Sequence, residues 1–281
     1  LITVAICCVQ AGGAGAPSPA HVAAAPAEFA MKRLVAGFAV LAALALVAGT
    51  GTAWNKYLRT PSQDLQPLPP HLISLESEAG RSLLADSGAV ADYPSLTTHF
   101  VPQSRRAFCG VASALTTLNA AGATQTPLDQ QALFADPDVK AHPLKVSFTG
   151  MSLRDFGELL RAHGARVTVV HASETDVGGF RDVVRSNLAR EGDYLLVNYQ
   201  RSHLGQTPMG HISPVAAYHE GTDRLLVLDV AAHKYPPTWV ELETMWEAMH
   251  APLNANTSTT RGFLVVHADV PGDEATFAEA H

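Results

Sequence analysis

The chain has 281 residues, 47% of them hydrophobic and 16% charged, with a net charge of -7. That is apolar material for one well-filled domain with appendages, and the acidic balance, without any basic stripe, argues against nucleic acid as a partner. Cys7 and Cys8 fall in the leader, so Cys109 stands alone in the rest of the chain and no disulfide staples the domain.

Residues 1–30 are rich in Ala, Gly and Pro, start without Met and have no helical or strand period. They read as a doubtful leader, an over-extended frame with the start at Met31. Met31-Lys32-Arg33 precedes an uncharged run from Leu34 to Trp54, the pattern of an export signal and long enough to span a bilayer. A cleaved signal peptide and an N-terminal membrane anchor over 31–54 both fit. Either places the protein outside the cytoplasm, periplasmic or held at the inner membrane, with Lys32 and Arg33 inside. The Pro-rich segment 55–70 reads as a linker, 71–270 as the globular domain and 271–281 as a tail.

Within the domain, Val111, Ala112, Leu115 and Leu118 have helical spacing after Cys109, with Gly122 as the stop. Pro127–Phe134 predicts a short helix and the stretch to Gly150 an irregular segment. Ser152 and Asp155 form a capping-box signature for a helix ending at Gly164. Arg166–His171 predicts a strand, Ser173–Arg190 a helix, and Tyr194–Tyr199 a strand. His211–Tyr218 and Arg224–Val230 flank Glu220-Gly-Thr-Asp223, a hairpin signal. Thr238-Trp-Val-Glu241 predicts a second capping box with a helix through Met249, and Arg261–His267 a closing strand. Helices come first and antiparallel strands late, so the class is α+β.

A lone thiol is more often a small core hydrophobe than a nucleophile. Cys109, however, opens a helix and follows Arg105 and Arg106, both features that favour the thiolate. A nucleophile needs a base and a group that orients it. His211 and Asp229 lie on the two strands of the predicted hairpin. With an odd-length loop, residues of equal parity share a face, which makes them neighbours. Gln103 carries an amide for a developing oxyanion. Asp229 paired simply with Arg224 is the bland alternative.

The segments FVPQSRRAFCGVASALTTLNAAG, GMSLRDFGELLRAHGARVTVVHAS, LLVNYQR, GHISPVAAYHEGTDRLLVLDVAAHKYPPTWVELETMWEAMH and TRGFLVV resemble, in order, the phytochelatin synthase family of papain-like cysteine peptidases. The resemblance implies a papain-like fold with the nucleophile helix packed on the late sheet. It implies Cys109, His211 and Asp229 as catalytic residues, Gln103 in the oxyanion hole and Arg201 at a substrate carboxylate. It further implies cleavage of the Cys–Gly amide of glutathione and transfer of γ-Glu-Cys to water or to a second glutathione or γ-Glu-Cys peptide. No cofactor is required; Cd²⁺ or Zn²⁺ enters as the metal–thiolate form of the substrate. A homodimer is implied as well. Plant members add a Cys-rich C-terminal half and commonly carry Glu-Pro at the Arg105-Arg106 position. The short form resembles bacterial members, for which hydrolysis is expected to dominate. Two rival readings are an exported cysteine peptidase acting on other peptides and a non-catalytic thiol or metal module using His203, His211, His219 and His233.

Overall fold

The computed structural model describes residues 27–122, 126–253 and 257–267. The leader before residue 27, Cys7 and Cys8 within it, and the tail 271–281 lie outside the described residues. The chain divides into two units, one ending at Gly51 and the other beginning at Thr52.

The first unit holds most of helix α1 (Ala27–Ala53). The run Met31–Leu58 is long and apolar enough to cross a membrane, with a mean hydropathy of 2.2. Leu34, Phe38, Leu41 and Leu44 are all exposed on it. Its length and composition fit a signal sequence and a membrane span alike.

The second unit is built on a seven-stranded antiparallel sheet. Its strands are β1 (Ile73–Ser74), β2 (Arg166–His171), β3 (Asp193–Gln200), β4 (Gly210–His219), β5 (Arg224–Val227), β6 (Thr238–Glu241) and β7 (Gly262–His267), in the order β1-β6-β5-β4-β3-β7-β2. The helices are α2 (Glu78–Asp86), α3 (Tyr93–Thr98), α4 (Cys109–Ala120), α5 (Gln130–Ala135), α6 (Pro143–Thr149), α7 (Leu153–Ala162), α8 (Val177–Leu188) and α9 (Leu242–His250).

Central strand β3 shows why the sheet is covered on both faces. Tyr194 and Leu196 point into one core with Val111, Leu115, Phe156 and Leu160 of α4 and α7. Leu195, Val197 and Tyr199 point into another with Phe180 and Val184 of α8 and Met245 of α9. The side-chain period of two sends alternate residues to opposite faces, so a strand buried on both reads as a continuous apolar run. The α+β class expected from the sequence holds, with the helix begun by Cys109 packed on the sheet.

Several elements differ from expectation. Helix α6 occupies the stretch read as irregular; Pro143 at its start and the His142 ring, which accepts from Leu144 N–H at 3.2 Å, cap a turn too short to show a period. Helix α8 starts later than Ser173, where Asp176 accepts from Gly179 N–H at 2.8 Å. Thr238–Glu241 is not a capping box but strand β6, paired with β5 through Arg224↔Glu241 and Val227↔Thr238. The β-branched and aromatic residues of Thr-Trp-Val prefer the pleated, half-covered position, and the Thr238 hydroxyl turns back to Pro236 O instead.

The hairpin parity also needs correcting. The loop has an even length, so His219 faces Arg224 and partners near the turn have opposite parity. A β-bulge between Val215 and Ala217 shifts the register by one, and beyond it Val215 faces Val227. Leu228 N–H then bonds Pro214 O at 2.9 Å. The bulge restores equal parity, which leaves His211 and Asp229 on one face as diagonal neighbours although β5 itself ends at Val227.

The segment read as a linker is seated on the domain. Asp64 N–H bonds His233 O at 2.8 Å and Gln66 N–H bonds Lys234 O at 2.9 Å. A Pro-rich chain lacks internal hydrogen bonds, which leaves its remaining N–H groups free to pair with a neighbouring backbone.

Candidate active site

Cys109 is the first residue of α4, and the helix is tied to β4 one turn later, where the buried Ser113 hydroxyl donates to Ile212 O at 3.0 Å. Ile212 follows His211, so this bond fixes thiol and imidazole relative to one another. The helix approaches closely at Gly110: a Cβ there would lie 3.0 Å from Met151 Sδ, tighter than an ordinary contact, and 3.6 Å from Ile212 Cδ1. On the other side, Gln103 N–H bonds Val230 O at 2.8 Å, tying the loop before the thiol to the residue after Asp229.

His211 Nε2 donates to Asp229 Oδ1 at 2.9 Å, and both side chains are buried. That bond fixes the tautomer and leaves Nδ1 for the thiol. The same Asp229 oxygen accepts from Arg201 Nη2 at 2.7 Å and from Ala231 N–H at 2.9 Å. Arg201 is itself buried, also donates to Gln206, and lies over the rings of Tyr199 and Tyr235 at 5.8 and 5.0 Å.

These contacts set the charges. Burial alone would raise the Asp229 pKa, but Arg201 and then His211 hold it well below the usual carboxylate range. Burial and Arg201 work against a charged imidazole at His211; Asp229 and the hydrogen bond with Cys109 prevail and raise its pKa. Burial also opposes the Cys109 thiolate, yet the hydrogen bond and charge of His211, the Ile212 backbone and Arg201 bring the pKa below that of a free thiol. The cations that favour the thiolate are therefore His211 and Arg201 rather than Arg105 and Arg106. Arg105 is occupied elsewhere, donating to Ser147 Oγ at 2.7 Å and lying 4.8 Å over the Phe108 ring.

The thiol and imidazole line a cleft of about 420 Å³ with Arg106, Asn198, Met151 and Arg261. A larger cavity of about 590 Å³ between α6 and α7 contains none of the triad residues. Gln103 is buried and donates through Nε2 to Arg106 O at 3.1 Å; its Oε1 has no partner among the described residues. The amide keeps a second N–H for another acceptor. Arg201 differs from its expected role: its guanidinium is engaged by Asp229 and Gln206 behind the imidazole instead of being presented to a substrate.

Two cleft residues were missed in the sequence. Arg261 is buried and donates to Ala251 O at 3.0 Å and to Pro252 O, and no carboxylate pairs with it among the described residues. Burial lowers its pKa, as expected for a cation without a counter-charge. An Arg directly before an apolar strand was the available signal. Tyr57, in the segment read as a linker, packs at a tilt against Phe148 with ring centroids 4.8 Å apart, and both line the cleft. Nothing in its local pattern marks it.

Of the four histidines considered for metal, His219 bonds Asp86 Oδ2 at 3.2 Å and Thr222 Oγ1 at 2.9 Å, and His211 is used as above. Among the described residues, no three His, Cys, Asp or Glu side chains come together to hold an ion.

A sequence profile of the phytochelatin synthase family matches residues 63–263. The chain is similar to glutathione gamma-glutamylcysteinyltransferase 1 of Lotus japonicus, 33% identical over 221 residues, which cover 72% of this chain and 41% of that protein. It is similar to the Triticum aestivum protein of the same name, 34% identical over 207 residues, covering 71% and 41%. It is also similar to glutathione gamma-glutamylcysteinyltransferase of Schizosaccharomyces pombe, 29% identical over 210 residues, covering 71% and 50%. The chain thus spans half or less of the length of these relatives. The match runs through every residue of the Arg201–Asp229–His211–Cys109 line, and the chain belongs to the phytochelatin synthase family.

Proposed function

We propose that the chain cleaves glutathione at its Cys–Gly amide and carries γ-Glu-Cys on Cys109. The observation that carries this reading is the buried line from Arg201 through Asp229 and His211 to Cys109 at the wall of a cleft that also holds Arg261, whose guanidinium meets no carboxylate among the described residues. The relatives' names point to the same substrate.

In the first step the Cys109 thiolate attacks the amide carbonyl carbon. The second N–H of Gln103 and the Cys109 backbone N–H receive the oxyanion. The amide C–N bond breaks as His211 gives its proton to the departing glycine nitrogen. A thioester remains on Sγ. In the second step His211 takes a proton from water, or from the amine of a second glutathione, and that nucleophile displaces Sγ. Water gives γ-Glu-Cys; the amine gives a phytochelatin. Arg261 is suited to hold a substrate carboxylate by a bidentate contact, the role first expected of Arg201. Cd²⁺ or Zn²⁺ enters bound to substrate thiolate. The apolar run Met31–Leu58 directs the domain out of the cytoplasm, as a signal or an anchor.

Full chain in detergent, given glutathione, releases glycine, and Cys109→Ala does not. Glycine release persisting in that variant contradicts the assignment.

A further inference from the structure

A third cavity, of about 250 Å³, shares Arg106 with the cleft. Lys56, Arg59, Arg106 and Lys234 line it together with His233, against a single carboxylate, Asp64. Among the described residues none of these four cations is in an ion pair. Arg59 donates to Asn55 Oδ1 at 3.2 Å, and Lys56 lies 5.1 Å over the Tyr57 ring. Four positive charges and one negative leave an excess of three around a small, polar-walled space. The crowding is felt: burial and then Arg106 lower the Lys234 pKa, while burial and Lys234 lower that of His233. The cations stay together because the backbone bonds of Asp64 to His233 and of Gln66 to Lys234 clamp the segment there. Such a cluster is stabilised by an anion that offers several acceptor oxygens to converging donors.

Two observations say which anion. Six of the ten lining residues, Asn55, Lys56, Arg59, Thr60, Pro61 and Ser62, precede the residues matched by the family profile. The cavity is therefore formed by this chain's N-terminal segment laid against Arg106, His233 and Lys234 of the matched domain, and half of its four cations come from outside the part that the family shares. Asn55 and Lys56 also lie in the last turn of the apolar run Met31–Leu58, and residues 59–62 directly follow it, where a bilayer surface lies if the run is inserted. Basic residues flanking a membrane helix meet phosphate-bearing headgroups.

We propose that this cavity binds a phosphate group, supplied in the anchored protein by the headgroup of an anionic phospholipid. The site needs only the cavity; the lipid source rests also on the reading that the apolar run remains in the membrane. Arg106, common to both cavities, is where occupancy reaches the thiol cleft, through the Gln103 amide bonded to its carbonyl.

Calorimetric titration of the full chain in non-ionic detergent with inorganic phosphate tests the site. Phosphate binds, and Arg59→Glu weakens it by about tenfold or more, the size of one lost charge-assisted contact. Arg59→Gln weakens it less, which keeps the result readable if the reversed charge unfolds the segment. No phosphate binding, or unaltered binding in both variants, overturns the proposal. So does a titration in which glutathione binds in an Arg59-dependent way and phosphate does not. Nanodiscs identify the source: phosphate binds more weakly in phosphatidylglycerol discs than in phosphatidylcholine discs when the headgroup occupies the site. Equal binding in the two overturns the lipid source and leaves a soluble phosphate. None of these readouts depends on glycine release, so they stand apart from the proposed reaction.

Discussion

Two aspartates in this molecule are almost equally buried and titrate in opposite directions. Asp229, 3% exposed, meets a guanidinium, an imidazole and a backbone N–H and is held far below the carboxylate range. Among the described residues the carboxylate of Asp92, 1% exposed, accepts one bond, from Gly192 N–H to Oδ1 at 2.9 Å, and its Oδ2 has no partner. Burial pushes its pKa up to about 7, helped by Asp193 and Glu191. Depth of burial therefore says little about charge state; partners decide it. In the candidate site a buried cation, Arg201, lets a carboxylate stay ionised, and that carboxylate raises the pKa of the imidazole beside the thiol.

The comparison breaks most sharply at Asp229. Asp229→Asn keeps the shape but loses the charge that orients and stabilises the imidazolium, and glycine release falls by about 10³–10⁴-fold, as when the acid of a Ser-His-Asp triad is replaced by its amide. The next largest effect is on stability. Arg201→Met leaves Asp229 with fewer partners at a buried position and costs about 3–5 kcal/mol in denaturant unfolding near neutral pH. The deficit shrinks at low pH, where Asp229 takes up a proton.

The two aspartates also give opposite pH slopes. Asp229 contributes stability above the unfolded carboxylate value, and this is lost as pH falls through its depressed folded value. Asp92 in the folded state keeps its proton to about 7, whereas the unfolded chain releases it near 4. The folded state binds more protons in that window, so stability falls as pH rises through it. Asp92→Asn flattens the decline by roughly 2–3 kcal/mol between pH 4 and 7; unfolding midpoints at several pH values give the slope. The smallest effect is at Tyr57. Tyr57→Ala opens one side of the cleft and raises KM for glutathione several-fold, about 1 kcal/mol, with little change in kcat.

The site's members were legible one by one, the forces on them less so. Cys109 announced itself as an unpaired thiol at a helix start, and the hairpin brought His211 and Asp229 to one face. That placement depends on a bulge at Val215/Ala217, which no local residue signals, because a bulge corrects register against distant packing. Arg201 was visible as a charge at a strand end; its burial against Asp229 was not, since it depends on the turn that carries Gln206 and on Tyr235 from beyond β5. Helices with side-chain caps, such as α7 with Ser152 and Asp155, were readable from short-range chemistry. Thr238–Glu241 shows the same chemistry failing: the Thr-x-x-Glu pattern was present, but pairing with β5 prevailed. Tyr57 and Arg261 reach the cleft only through tertiary contacts.

The central claim is that the Arg201–Asp229–His211 line holds Cys109 as a thiolate, and the pH dependence of Cys109 alkylation by iodoacetamide tests it most directly. In the wild-type chain the rate rises with a midpoint below the ~8.5 of a free thiol, and in His211→Ala the midpoint moves up to that value or above it. A wild-type midpoint at or above ~8.5, or one that His211→Ala leaves in place, contradicts the account.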